Sequence, residues 1–172
     1  DVAITTGSTR LNWCTIGVTL LEGNSFTGAT PARALVVATG QYANSNWKWK
    51  DANHNGLNHW GSKPFLVEIV SGEVELPVSA SRVRAWALSG EGLRTWPIPV
   101  TDKAGSAVLS LGTVGNTLWY EVQISPTPYS NQVPVLTSVG NRNATAGQPI
   151  RITVQATDAD IQPLEYSATS GM

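Results

Sequence analysis

Disulfide chemistry is missing from this chain, because Cys14 is its single cysteine and no internal bridge can form. Cys14 falls in an alternating apolar run, which predicts a buried small hydrophobe rather than a reactive thiol. Charge is scarce as well. Charged residues make up 13% of the chain and the formal net charge is −1, against a usual charged share of roughly 25%. With no basic patch and no polybasic run, nucleic acid is not an expected partner. No apolar stretch reaches transmembrane length and no signal peptide is visible, so a membrane partner is not expected either. No segment carries helical spacing with caps. The first residue is Asp1 rather than Met, from which the chain is expected to start downstream of another part of its protein.

Short alternating apolar runs broken by turn residues are abundant. Leu11 to Leu21 sets Cys14, Ile16, Val18 and Leu20 on one face, with Trp13, Thr15 and Thr19 on the other. Ala34 to Gly40 is nearly continuously apolar, as in a central strand. Phe65 to Val70 and Glu73 to Val78 flank Ser71-Gly72, which predicts a tight hairpin. Val83 to Leu88 is followed by the turn Ser89-Gly90-Glu91-Gly92. Trp96 to Val100 carries two prolines and is predicted at a sheet edge. Ala107 to Leu111 and Leu118 to Ile124 complete the set. The fold class is therefore all-β: an antiparallel β-sandwich over residues 1–125, with a barrel as the alternative. Residues 126–133 are rich in Pro, Ser and Asn and read as a linker. Residues 134–172 restart the strand pattern at Val135 to Val139, Ile150 to Ala156 and Leu164 to Ala168, as a partial second domain too short for its own core. Scarce Lys, abundant Thr, Ser, Gly and Asn, and seven Trp fit an exported, extracellular bacterial protein.

Two resemblances follow from particular residues. Asn131-Gln132-Val133-Pro134-Val135, Ala146-Gly147-Gln148-Pro149-Ile150, Ala156-Thr157-Asp158-Ala159-Asp160 and Pro163-Leu164-Glu165-Tyr166-Ser167-Ala168 resemble the opening of a cadherin-like or immunoglobulin-like bacterial domain. Such domains imply a spacer in a multidomain secreted or surface protein. Gln162 stands where calcium-binding members carry a third carboxylate, so the family's calcium site does not carry over. The first 125 residues resemble the β-sandwich that follows the catalytic barrel in many secreted glycoside hydrolases. Leu35 to Gly40, Trp60-Gly61, Pro64 to Glu68, Val83 to Gly92 and Leu118 to Val122 carry that likeness. It implies an accessory module with an upstream catalytic domain in the same polypeptide.

Catalytic sets are thin. No G-x-S-x-G elbow is present, and His54 and His59 have no Ser or Cys motif beside them. Glycoside hydrolysis needs two carboxyl groups roughly 5 to 9.5 Å apart. Glu68 and Glu121, both predicted mid-strand, are the candidate pair, and their plainer role is to bond neighbouring polar groups. Asp51, Asn53 and Asn55, followed by Gly56, match the first half of a calcium loop, whose twelfth position holds Ser62 instead of an acid. An Asx-turn is the alternative there, and apart from calcium no cofactor is expected. Asp51 with His54 and His59 fits no standard zinc spacing. Asn143-Ala144-Thr145 is a glycosylation sequon only in a eukaryotic secretory pathway.

Tyr42 to Trp60 concentrates flat apolar rings and amides: Trp47, Trp49 and Trp60 with Asn44, Asn46, Asn53 and Asn55. Sugars make that demand, offering C–H faces to rings and hydroxyls to directed hydrogen bonds. Trp47 and Trp49, two apart, are expected to share a face, and Trp13, Trp86 and Trp119 to cover a core or an interface. The expectation is a non-catalytic, polysaccharide-binding accessory module. The alternatives are a spacer or docking domain packed on a catalytic domain and, weakest, a small glycoside hydrolase.

Overall fold

A computed structural model describes residues 1–130, 133–158 and 164–167. In chain order its strands are β1 (Ala3–Thr6), β2 (Thr15–Glu22), β3 (Ala32–Thr39), β4 (Tyr42–Ser45), β5 (Lys48–Trp49), β6 (Leu57–His59), β7 (Ser62–Val67), β8 (Gly72–Leu76), β9 (Val83–Leu88), β10 (Arg94–Ile98), β11 (Val100–Lys103), β12 (Ser106–Leu111), β13 (Trp119–Ile124), β14 (Val135–Leu136) and β15 (Ala156–Thr157). Among the described residues the one helical element is a single 3₁₀ turn, Ala80–Arg82. The chain is all-β, and its pairings are antiparallel.

The chain divides into two units, Asp1–Tyr129 and Ser130–Met172. The first is a sandwich of two sheets, ordered β1-β8-β12-β11 and β10-β9-β13-β3-β2. Period-two alternation builds it, because successive residues of a strand face opposite sides. In β13, Tyr120, Val122 and Ile124 point inward and are buried, while Trp119, Glu121 and Gln123 point outward. Ala32, Ala34, Val36 and Ala38 of β3 line the same core, as do Val83, Ala85 and Ala87 of β9. The facing sheet contributes Val74, Leu76, Ala107, Leu109 and Leu111. Tyr120 lies between Val36 and Ala87 in register, and Ala87 leaves space for its ring. Its buried hydroxyl donates to Thr117 O and accepts from Gly112 N, so the core carries no unpaired phenol.

Two expectations are corrected. Ser71-Gly72 is not a hairpin turn: β7 pairs back with β4, whereas β8 joins the other sheet beside β1 and β12. Alternation on both sides of a turn signal says that strands flank it, not that they pair. Trp96 to Val100 splits into β10 and β11, which belong to different sheets. The edge position expected for the prolines holds for Pro97, since β10 closes its sheet, while Pro99 lies in the link to β11.

The Pro-rich segment begins attached to the first unit. Tyr129 N donates to Ser81 O, and the Arg84 guanidinium lies 4.1 Å from the Tyr129 ring centroid. In the second unit β14 pairs with β15. The alternating run from Ile150 to Val154 forms no strand and stays exposed. Among the described residues no strand lies alongside it, and an unpaired alternating segment has no sheet face to bury. Leu164 to Ser167 is likewise not a strand. Asn131, Gln132, Ala159, Asp160, Gln162, Pro163 and Ala168, which also carry the resemblance noted above, lie outside the described residues.

Candidate functional site

Tyr42 to Val67 is a projecting β-arm rather than a loop. β4 and β7 pair at its base, with Tyr42 opposite Val67 and Asn44 opposite Phe65. β5 and β6 pair nearer its tip, with Lys48 opposite His59 and Trp49 opposite Leu57. The two ribbons meet at a joint formed by Asn46-Trp47 on one strand and Trp60-Gly61 on the other. Asn46 and Gly61 both take left-handed backbone there, at φ 61° and 75°. Gly61 is required by space as well, since a Cβ on it would come within 2.3 Å of Ser45 O.

The joint holds three indoles. Trp47 packs edge-to-face with Trp49 at 5.3 Å and with Trp60 at 5.5 Å between ring centroids. Positive ring edges against negative faces favour such pairs by about 0.5–1.5 kcal/mol each. Trp47 is the wedge. It is half-buried, and its indole nitrogen is closed off with no hydrogen-bond partner among the described residues. Trp49 has one face covered by His54, stacked at 4.7 Å. Trp60 is 72% exposed. Trp47 and Trp49 are therefore in contact, as their spacing suggested, but edge-to-face rather than as one flat platform.

The predicted amides divide in the same way. Asn44 Nδ2 donates to Trp60 O and Asn44 O accepts from Trp47 N, so Asn44 holds the joint together. Asn46, Asn53 and Asn55 are exposed. At the tip, Asp51 Oδ1 accepts from both Asn53 N and Asn55 N, and Lys50 N donates to Gly56 O. That is an Asx-turn, with the carboxylate closing its own loop. Of the residues matching half of a calcium loop, Asp51 has one oxygen taken up by two N–H groups, Asn53 and Asn55 are exposed, and Ser62 sits in β7. Among the described residues no group of three His, Cys, Asp or Glu is placed to hold a metal. His59 Nδ1 accepts from Gly61 N and so supports the joint.

The two candidate catalytic carboxylates are both engaged. Glu68 stands at the base of the arm, where Oε1 accepts from Arg10 N at 2.6 Å and Oε2 from Gln41 N at 2.9 Å. Those backbone donors, Gln41 first, hold its pKa below the usual carboxylate value. Glu121 forms a two-pronged pair with Arg94, at 3.0 Å from Nε and 2.7 Å from Nη2. The Arg94 hydrogen bonds hold its carboxyl below the usual range against the opposing effect of burial.

Other exposed groups were missed or misplaced. Tyr42 and Phe65 pair at 5.5 Å on the arm's base, and Leu66 is exposed on the ribbon's other face. Phe65 and Leu66 look like core residues in sequence, so no signal marked them as exposed. Trp13 belongs to no strand and is 47% exposed, beside a cleft of about 400 Å³ within residues 6–14. Its place opposite Cys14 and Ile16 in the alternation was the available signal. Trp86 is buried, but on the outward sheet face beneath Arg94, 3.9 Å from the guanidinium. Comparison with protein-family models, curated proteins and solved structures gives no match.

Proposed function

We propose that the chain is a non-catalytic accessory part of an extracellular bacterial protein that acts on carbohydrate, and that the arm grips polysaccharide. The observation that carries this is Trp60: a largely exposed indole held edge-to-face on the Trp47 wedge, with its backbone carbonyl fixed by Asn44. A ring held before the ligand arrives costs little ordering when a sugar packs on it. Asn46 beside it, and Asn53 and Asn55 at the tip, supply amides for ring hydroxyls. The engagement of Glu68 and Glu121 in structural bonds supports a non-catalytic role. The second unit, on its resemblance, is the start of a spacer domain.

Affinity electrophoresis against cellulose derivatives, xylan, mannan and β-1,3-glucan tests the arm. We expect retardation by at least one polymer and an affinity about tenfold weaker in Trp60→Ala, equivalent to about 1.4 kcal/mol. Trp96→Ala, which removes an exposed indole outside the arm, should leave the binding unchanged. Equal retardation of native protein and Trp60→Ala would remove the arm from the site.

Tyr42 and Phe65 favour a second function, docking of the arm's base on an upstream catalytic domain, because a pair of exposed rings in contact suits a protein surface. Absence of glycan binding, together with tight association between this chain and such a domain that Phe65→Ser weakens, would select it.

A further inference from the structure

The segment between β1 and β2 carries a second arrangement of ring and hydroxyls. A cleft of about 400 Å³ is lined by Thr6, Ser8, Thr9, Asn12 and Trp13, among others. Pockets for small ligands run from roughly 300 to 1,000 Å³, so this one is sized for a small unit. Its lining presents a half-exposed indole, three hydroxyl groups and a carboxamide, with no ionised side chain. No side chain there offers a charge to pair with an ionic ligand. The lining matches a neutral sugar residue, which offers a C–H face to a ring and hydroxyls to donors and acceptors of both kinds.

The segment is held in shape at several points. Gly7 N donates to Ser71 O at 2.8 Å, and Arg10 N donates to Glu68 Oε1 at 2.6 Å. Asn12 N donates to Thr9 O, closing a turn with Asn12 at φ 56°, where Asn is better tolerated than most residues. A Cβ on Gly7 would meet Ser71 Oγ, so a side chain there requires the Ser71 hydroxyl to turn away. The other oxygen of Glu68 accepts from Gln41 N, the residue preceding β4. One carboxylate therefore ties the cleft-bearing segment to the root of the aromatic arm.

We propose that the Trp13 cleft is a second saccharide subsite, which takes one residue of a neutral glycan whose other residues lie against the arm. This rests on the carbohydrate-binding function proposed above and adds its substrate class: a neutral polymer long enough to engage two separated rings. Two weak contacts on one chain act at high effective concentration, so a hexasaccharide should bind far better than a disaccharide.

The seven Trp of the chain each give an indole N–H signal, so ¹H–¹⁵N spectra of the native protein separate the two sites. The probes are cellohexaose, xylohexaose, mannohexaose and laminarihexaose, each with its disaccharide. We expect one hexasaccharide to shift both the Trp13 and the Trp60 signals. We also expect Trp13→Ala to weaken its binding about tenfold, with backbone signals of β13 unmoved as proof of folding. Movement of Trp60 without Trp13 would overturn the subsite and leave the arm standing. Movement of Trp13 without Trp60 would overturn the arm and, with it, the bridging of two rings by one glycan. Movement of neither by any of the four hexasaccharides would overturn both.

Discussion

Glu121 faces outward from its sheet, yet its side chain is only 10% exposed. Two arginines explain how a carboxylate is tolerated there: Arg94 Nε and Nη2 grip both oxygens, and Arg33 Nη1 approaches Oε1 at 3.9 Å. Arg94 in turn covers the Trp86 ring. Its carboxyl is held below the ordinary value, so its stabilisation is fully present above the unfolded-state pKa and disappears as pH falls through the folded-state value. We expect Glu121→Gln to lower stability at pH 7 by about 1–2 kcal/mol. In urea titrations the gap between native and variant should close below the usual carboxylate range, and a gap that stays constant down to strong acid would contradict the pairing. In sequence, Glu121 and Glu68 were visible as acids expected mid-strand, which holds for Glu121 in β13 but not for Glu68, just past the end of β7. Their partners were not visible, because Arg94 reaches Glu121 from a strand 27 residues away and Arg10 reaches Glu68 across 58.

The arm shows how an element can be half legible. Its composition marked it out, since Trp and Asn crowd residues 42–60. Its form did not, because β5 has two residues and β6 three, too short for alternation to declare itself. The left-handed residues at the joint also break the period between them. Gly61 holds that joint, so Gly61→Ala should loosen the arm without unfolding the sandwich. A Cβ there meets Ser45 O and forces a strained φ, at a cost of about 1–3 kcal/mol. Hydrogen exchange should report this as amides of residues 42–67 opening about tenfold or more faster, with those of β13 unchanged. Exchange that accelerates equally in β13 would show that the arm and sandwich open as one. The roles of the candidate residues divided for the same local reasons. Asn44 and Trp47 became supports because their amide and ring are spent on the joint, while the Trp60 ring, at the same joint, stays exposed.

For the whole molecule, the boundary of the first unit lies beyond the last core strand. Ser125 N donates to Arg82 O, Arg82 Nε donates to Ser125 O, and Tyr129 is held by Ser81 and Arg84. A fragment of residues 1–129 should therefore melt cooperatively, since it contains the whole buried cluster. Ending the fragment at residue 125 should cost about 1 kcal/mol through loss of the Tyr129 contact. Calorimetry on the two fragments checks this, and equal melting temperatures would show that residues 126–129 hold nothing. The sequence by itself determined the all-β class and the inward face of β13, because period-two alternation is written in adjacent residues. Only the tertiary structure decided which sheet each strand joins, that Tyr42 to Val67 projects as an arm, and that Trp13 and Trp60 are exposed while Trp86 is buried. Strand partners and ring exposure depend on segments distant in the chain, and no local pattern encodes what a side chain will meet there.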